Sequence, residues 1–241
     1  MKIITYKNNL ITYEDFLKNN INDTLIDGMI IPIIMTKDKE IIVFDDQITC
    51  VSKTEILKNN TYKELENACI IKLEDFLNKI KYFKKRIILN IYPLYQVILS
   101  DDAIKYINEI NNQYIKEINN IIKIFPNLNI SLCTYNQLLI QKIKNIITNR
   151  KKGLIVKEDN LNYIDVDFYI IPPTMLDVMI INEELSRGKE VMISSYSSSD
   201  MAIINEYFIL NSTQLKNKVL NQLTFVSAFP DLFKKIFNIN N

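Results

Sequence analysis

IDGMIIPIIMTKDKEIIVFDDQIT, residues 26 to 49, holds two apolar runs joined by a polar turn. Gly28–Met35 is apolar without interruption, as expected of a strand covered on both faces. Thr36-Lys37-Asp38-Lys39-Glu40 makes the turn, Ile41–Phe44 is a second short strand, and Asp45-Asp46 close the stretch. Paired carboxylates at a strand end raise the question of metal or acid/base chemistry.

The same kind of run recurs along the chain. Strands are expected at Lys2–Thr5, Ile87–Tyr92, Ile130–Thr134, Leu154–Val156, Phe168–Ile171, Val191–Ser194 and Thr224–Ser227. Between them lie helices at Thr12–Asn20, Thr61–Glu66, Lys72–Lys81, Asp102–Ile124, Asn136–Thr148, Met175–Arg187, Ser199–Phe208 and Pro230–Phe237. Thr12-Tyr13-Glu14-Asp15 fits a capping box, and Gly188 after Arg187 is a helix stop. In Asp102–Ile124, the residues Ile104, Ile107, Ile110, Tyr114, Ile118 and Ile121 form a core-facing stripe at helical spacing. About eight β–α units without a linker or repeat predict one domain over residues 1–241, an α/β fold closed as a (β/α)8 barrel. A doubly wound open sheet is the alternative.

Composition narrows the function. The chain has 241 residues, is 48% hydrophobic and 24% charged, and carries a net charge of +1. That balance gives no electrostatic footprint for nucleic acid or a membrane surface. No apolar run reaches the ~18 residues of a membrane span, and no signal peptide follows Met1. Cys50, Cys69 and Cys133 are scattered and read as reduced thiols, which points to the cytoplasm. Histidine is absent, so the side chain that titrates unaided near neutral pH is missing.

In such a barrel the chemistry sits at the C-terminal strand ends, and there the sequence resembles the glycerophosphodiester phosphodiesterase family, a barrel of the phospholipase-C-like type. Residues 26–49 are similar to the family's aDgiE-x-DV-x-x-TKDg-x-x-VV-x-HD stretch. TYKELENACIIKLEDFL resembles T-x-x-EL followed by iPtLeevL, and ILNIYPL resembles l-x-IE-x-K. SLCTYNQLLIQKIKN, SRGKEVMISSYSSSDM and TFVSAFPDLF resemble the later strands in colinear order over nearly the whole chain. The resemblance implies a phosphoric diester hydrolase of lipid metabolism, with a divalent cation held by carboxylates and two histidines as acid and base.

Carried over residue by residue, that site is missing. The first histidine falls on Tyr6 and the arginine on Lys7. The strand-2 carboxylates fall on Ile30 and Pro32, and the second histidine falls on Asp45, with Asp46 beside it. The strand-3 glutamate falls on Tyr92, its lysine on Leu94, and the closing Thr-Asp on Ser227-Ala228. The expectation is therefore a degenerate member, a pseudoenzyme with no catalytic residues, no metal and no cofactor. Asp45 and Asp46 then read as the remnant of a His-Asp motif, placed as solvated turn residues. A cation site rebuilt from Asp38, Asp45 and Asp46, serving a divergent phosphodiesterase, is the alternative. Lys7, Asp45, Asp46, Tyr92, Tyr135 and Tyr196 are the ligand-binding candidates, for a small anionic ligand or a protein partner, with no nucleic acid and no membrane span expected. Lys37 and Lys157 read as solvated, and Ser194–Ser199 as a turn rich in helix caps.

Overall fold

The computed structural model describes residues 2–6, 13–24, 26–44, 51–65, 70–94, 101–157, 164–195, 197–211 and 222–236. Lys7, Thr12, Asp45, Asp46, Cys50, Cys69, Tyr95 and Tyr196 lie outside them. The strands are β1 (Lys2–Tyr6), β2 (Gly28–Met35), β3 (Ile41–Val43), β4 (Ile71–Lys72), β5 (Arg86–Ile91), β6 (Ile130–Thr134), β7 (Lys152–Ile155), β8 (Phe168–Ile171), β9 (Glu190–Ser195) and β10 (Thr224–Ser227). The α-helices are α1 (Tyr13–Asn20), α2 (Val51–Asn59), α3 (Leu73–Lys79), α4 (Asp101–Ile124), α5 (Gln137–Ile146), α6 (Val178–Ser186), α7 (Ser198–Leu210) and α8 (Pro230–Ile236).

Eight of the strands run parallel in the order β1, β2, β5, β6, β7, β8, β9, β10, and β10 pairs with β1 to close the barrel. Closure leaves no open edge in this ring, and it rules out the open-sheet alternative. β2 is longer than its barrel pairing needs. Its last residues, Ile33–Met35, pair antiparallel with β3, which pairs in turn with β4. The opening stretch of sequence is thus one barrel strand that continues upward into a small hairpin.

Side chains alternate across each strand. One set packs inside the barrel, where Ile4, Ile30, Ile88, Ile170, Met192 and Val226 form a closed apolar layer. The other set faces the helices. Met29, Ile31, Leu89 and Leu132 join the large outer core, and Ile3, Val191, Ile193 and Phe225 join a second one under α6 and α7. Of the expected α4 stripe, Ile110, Tyr114, Ile118 and Ile121 face the large outer core. Tyr114 and Ile118 are fully buried, Ile110 and Ile121 pack against them, and the Tyr114 hydroxyl donates to the Ile33 carbonyl at 3.1 Å.

The N-terminal end of the barrel interior is polar. Arg86 pairs with Glu190 at 2.6 Å, and its Nε donates to Ser131 Oγ at 3.0 Å. Its guanidinium lies 4.5 Å from the centre of the Phe168 ring. This plug fills the layer below the aliphatic one.

Some local expectations need correction. The segment expected as helix Thr61–Glu66 forms only one 3-10 turn, Lys63–Leu65, although Thr61 and Glu64 exchange hydrogen bonds at its start as a capping box does. Met175–Arg187 divides into a 3-10 turn, Pro173–Met175, and α6. Asp177 intervenes because its carboxylate accepts from the Met179 and Ile180 N–H groups and starts the second helix afresh. Helix α2 was not expected; in VSKTEILKN the apolar residues are too few to show a stripe. β4 has two residues and takes the start of the expected helix Lys72–Lys81. Among the described residues no helix is long and apolar enough to cross a membrane.

Candidate functional site at the barrel mouth

The register decides which side chains meet at the C-terminal end. Tyr6 pairs with Ile30, Ile30 with Ile88, Pro32 with Asn90, and Asn90 with Cys133. Alternation places these residues on the inside, and Tyr6, Ile30 and Cys133 belong to the interior cluster. The mouth above the aliphatic layer is therefore bordered by Tyr6, Pro32, Asn90, Tyr92, Tyr135 and Ala228.

Two of the ligand-binding candidates, Tyr92 and Tyr135, fall at this mouth. Tyr92, just past β5, packs edge-on between Phe44 and Tyr135, with ring centres 5.0 and 5.7 Å away. Lys157, just past β7, holds its ammonium 3.6 Å from the centre of the Tyr135 ring. These four residues come from β3, β5, β6 and β7 ends and make one continuous arc of aromatic faces closed by a cation. Lys157 is exposed, as expected, and its ammonium also rests on an aromatic face. Lys7, Asp45, Asp46 and Tyr196 lie outside the described residues.

Leu94, where the resemblance expects a lysine, is buried in the outer core. Its carbonyl accepts from Lys58 Nζ at 2.7 Å, and Lys58 pairs with Glu55 on the same helix. That cation comes from α2, so the sequence pattern gave no sign of it. Asn90 was also missed. Its side chain is 6% exposed, and its Oδ1 has no hydrogen-bond partner among the described residues. Its signal in the sequence is a single polar residue at an inward position of an Ile/Leu strand.

The hydroxyls at the strand ends are committed to local backbone. Thr134 Oγ1 accepts from Asn136 N, Ser227 Oγ from Phe229 N, and Ser197 Oγ from Asp200 N. Asp200 returns the bond to Ser197 N, a capping box that starts α7. The serine run is thus helix-starting structure in its described part.

Carboxylates are the ligands that a hard divalent cation requires. Ile30 and Pro32 offer no side-chain oxygen, Tyr92 offers a phenol, and among the described residues no group of three or more acidic, Cys or His side chains could hold a metal ion. The inward carboxylate that is described, Glu190, sits at the opposite end under Arg86. Phenols with strongly raised pKa values are likewise off the mouth. Tyr169 and Tyr207 are pushed up to about 12, first by burial and then by nearby carboxylates, but they sit on the outer face of β8 and on α7.

No protein-family model matches the sequence, and no curated protein matches it. Solved structures do. A glycerophosphodiester phosphodiesterase from Parabacteroides distasonis superposes with a TM-score of 0.70 at 12% identity, over 99% of this chain and 97% of that one. One from Agrobacterium tumefaciens gives 0.64 at 12% identity, covering 98% and 99%. An Oleispira antarctica phosphodiesterase, solved with its product sn-glycerol-3-phosphate, gives 0.64 at 13% identity, covering 99% and 97%. At such low identity the likeness concerns the backbone alone, and it shows that this chain has the barrel fold of the glycerophosphodiester phosphodiesterases.

Proposed function

We propose that this chain is a non-catalytic binding module on a glycerophosphodiester phosphodiesterase-like barrel, taking a small anionic ligand at its C-terminal mouth. The observation that carries the reading is the inner wall itself. Ile30, Pro32 and Tyr92 stand where the family resemblance places metal carboxylates, in a chain that has no histidine. Aliphatic groups neither bind a hard cation nor move a proton. The groups left at the mouth suit recognition. Lys157 offers positive charge, Tyr92 and Tyr135 offer aromatic faces, and the Asn90 amide offers a buried polar contact. Lys7 is proposed to add a second cation. The cytoplasm is the proposed location, because the three scattered cysteines suit a reducing compartment.

The metal arm is tested by thermal melts in Ca²⁺, Mg²⁺ and chelator. A ligand that binds only the native state raises apparent stability by RT ln(1 + [L]/Kd), so the three curves are expected to coincide. A saturable rise that vanishes in Asp45→Asn/Asp46→Asn would instead establish a rebuilt cation site. The ligand arm is tested by screening phosphorylated small molecules. Lys7→Ala and Lys157→Ala are each expected to weaken a hit by about tenfold, the value of a charge-assisted hydrogen bond. Unchanged affinity in both places the ligand elsewhere.

A further inference from the structure

The opposite, N-terminal end of the barrel carries a second feature, independent of the mouth. The loop from α3 into β5 and the loop from α4 into β6 enclose a groove of about 500 Å³. Its walls carry Lys81 and Lys84, its floor is apolar, with Phe83 and Leu128 buried, and no carboxylate lines it. Tyr82 and Ile124 stand out from it, 84% and 58% exposed. Among the described residues neither Lys81 nor Lys84 has an acidic partner, and the Lys81 ammonium rests on the Tyr82 ring at 5.3 Å.

The basic charge at this end is concentrated on three loops. Residues 80–86, 123–130 and 147–152 hold four, one and three Lys/Arg and no Asp or Glu; of these, Arg86 is turned into the interior and paired with Glu190. The third loop joins the groove directly, since Arg150 Nη1 donates to the Leu128 carbonyl at 2.9 Å. A net charge of +1 over the whole chain conceals this patch. Acidic residues border the patch: the Asp167 carboxylate accepts from Lys152 N at 2.8 Å, and the Asp23 carbonyl accepts from Lys85.

We infer that this end of the barrel docks on an anionic phospholipid surface, with Tyr82 and Ile124 entering the interface and Lys81 and Lys84 contacting lipid phosphates. The charge complementarity is to an acidic partner, and the side-chain types select lipid. Tyr is at home at a membrane–water boundary. Lysine stems lie along apolar surface while their heads reach phosphate. The exposed positions of the groove carry lysine, not the arginine that bidentate protein or nucleic-acid recognition favours.

The test is co-sedimentation of the full chain with vesicles of phosphatidylcholine alone, or mixed equally with phosphatidylserine. Binding is expected on the mixed vesicles only and is expected to weaken with added salt. Lys81→Gln/Lys84→Gln is expected to lower the partition coefficient by about 25-fold, roughly fivefold for each lysine. Tyr82→Ser/Ile124→Ser is expected to lower it at any salt concentration. The control pair Lys63→Gln/Lys105→Gln removes two exposed charges elsewhere and is expected to leave it unchanged. Circular-dichroism melts of all three variants confirm that each is folded. Equal binding to neutral vesicles, no binding to either, or an equal loss in the control pair would overturn the inference. So would capture by heparin or an acidic peptide without vesicle binding.

Discussion

Asp38 shows how a motif residue can be structural. Its carboxylate accepts from Thr36 Oγ1 at 2.6 Å and from the Tyr62 N–H at 2.9 Å. Thr36 N donates to the Glu40 carbonyl and Lys39 N to that of Thr36, closing the turn between β2 and β3. Lys39 takes a φ of 69°, a left-handed conformation that glycine adopts without strain. Asp38 thus ties the hairpin to the turn before Lys63–Leu65. Slight burial raises its pKa, but the hydrogen bonds from Thr36 and Tyr62 and the charge of Lys72 outweigh it, and the net shift is downward. A carboxylate held below its unfolded value stabilises the fold above that value and loses the contribution as pH falls through the folded one. Asp38→Asn is therefore expected to lower stability near neutral pH by about 1 kcal/mol, the worth of a hydrogen bond. The difference between variant and wild type should shrink below about pH 4. Denaturant titrations across that range measure it, and a constant difference down to acid pH would show that Asp38 acts through shape and not charge.

At the scale of elements, two glycines make room for the polar plug. A Cβ on Gly28 would meet the Arg86 backbone carbonyl at 2.4 Å, and one on Gly153 would meet the Phe168 ring at 2.1 Å. The ring cannot swing aside, because Phe168 is fully buried beneath Arg86. The carbonyl cannot move without breaking the pairing of Gly28 with Arg86. Gly153→Ala is expected to destabilise by about 1–3 kcal/mol through overpacking, and Gly28→Ala by at least as much. Gly188→Ala meets nothing and has only its φ of 76° to overcome, so it should cost about 1 kcal/mol. Urea midpoints give the ranking, and a Gly188 variant worse than the other two would contradict this account of the plug.

These elements also mark what the sequence can show. Runs such as Gly28–Met35 and Ile130–Thr134 are legible because a strand buried on both faces needs unbroken apolar residues. β4 is too short for any period, and α2 lacks a stripe, so both depend on tertiary contacts. At the mouth, Tyr92 and Tyr135 were legible as strand-end residues. Their arrangement with Phe44 and Lys157 was not, because four distant stretches meet only through the parallel register. Asn90 stayed hidden beside the motif position that drew attention to Tyr92.

The whole molecule keeps a closed eight-stranded barrel and fills its interior with aliphatic side chains, a polar plug at one end and an aromatic arc at the other. Phosphate-ester hydrolysis is among the slowest uncatalysed reactions, so turnover demands a very large rate enhancement. An acid and a base together supply about 10²–10⁴, and a metal neutralises the phosphate charge and polarises the bond. The described inner wall supplies neither set of groups. The most direct test of the proposal is a glycerol-phosphate release assay on protein purified to homogeneity, with several head groups and with Mg²⁺, Ca²⁺ or Mn²⁺. Release is expected to stay at the no-enzyme background in every condition. Release above background that copurifies with the protein and is abolished by Asp45→Ala would contradict it and establish a phosphodiesterase with a rebuilt site.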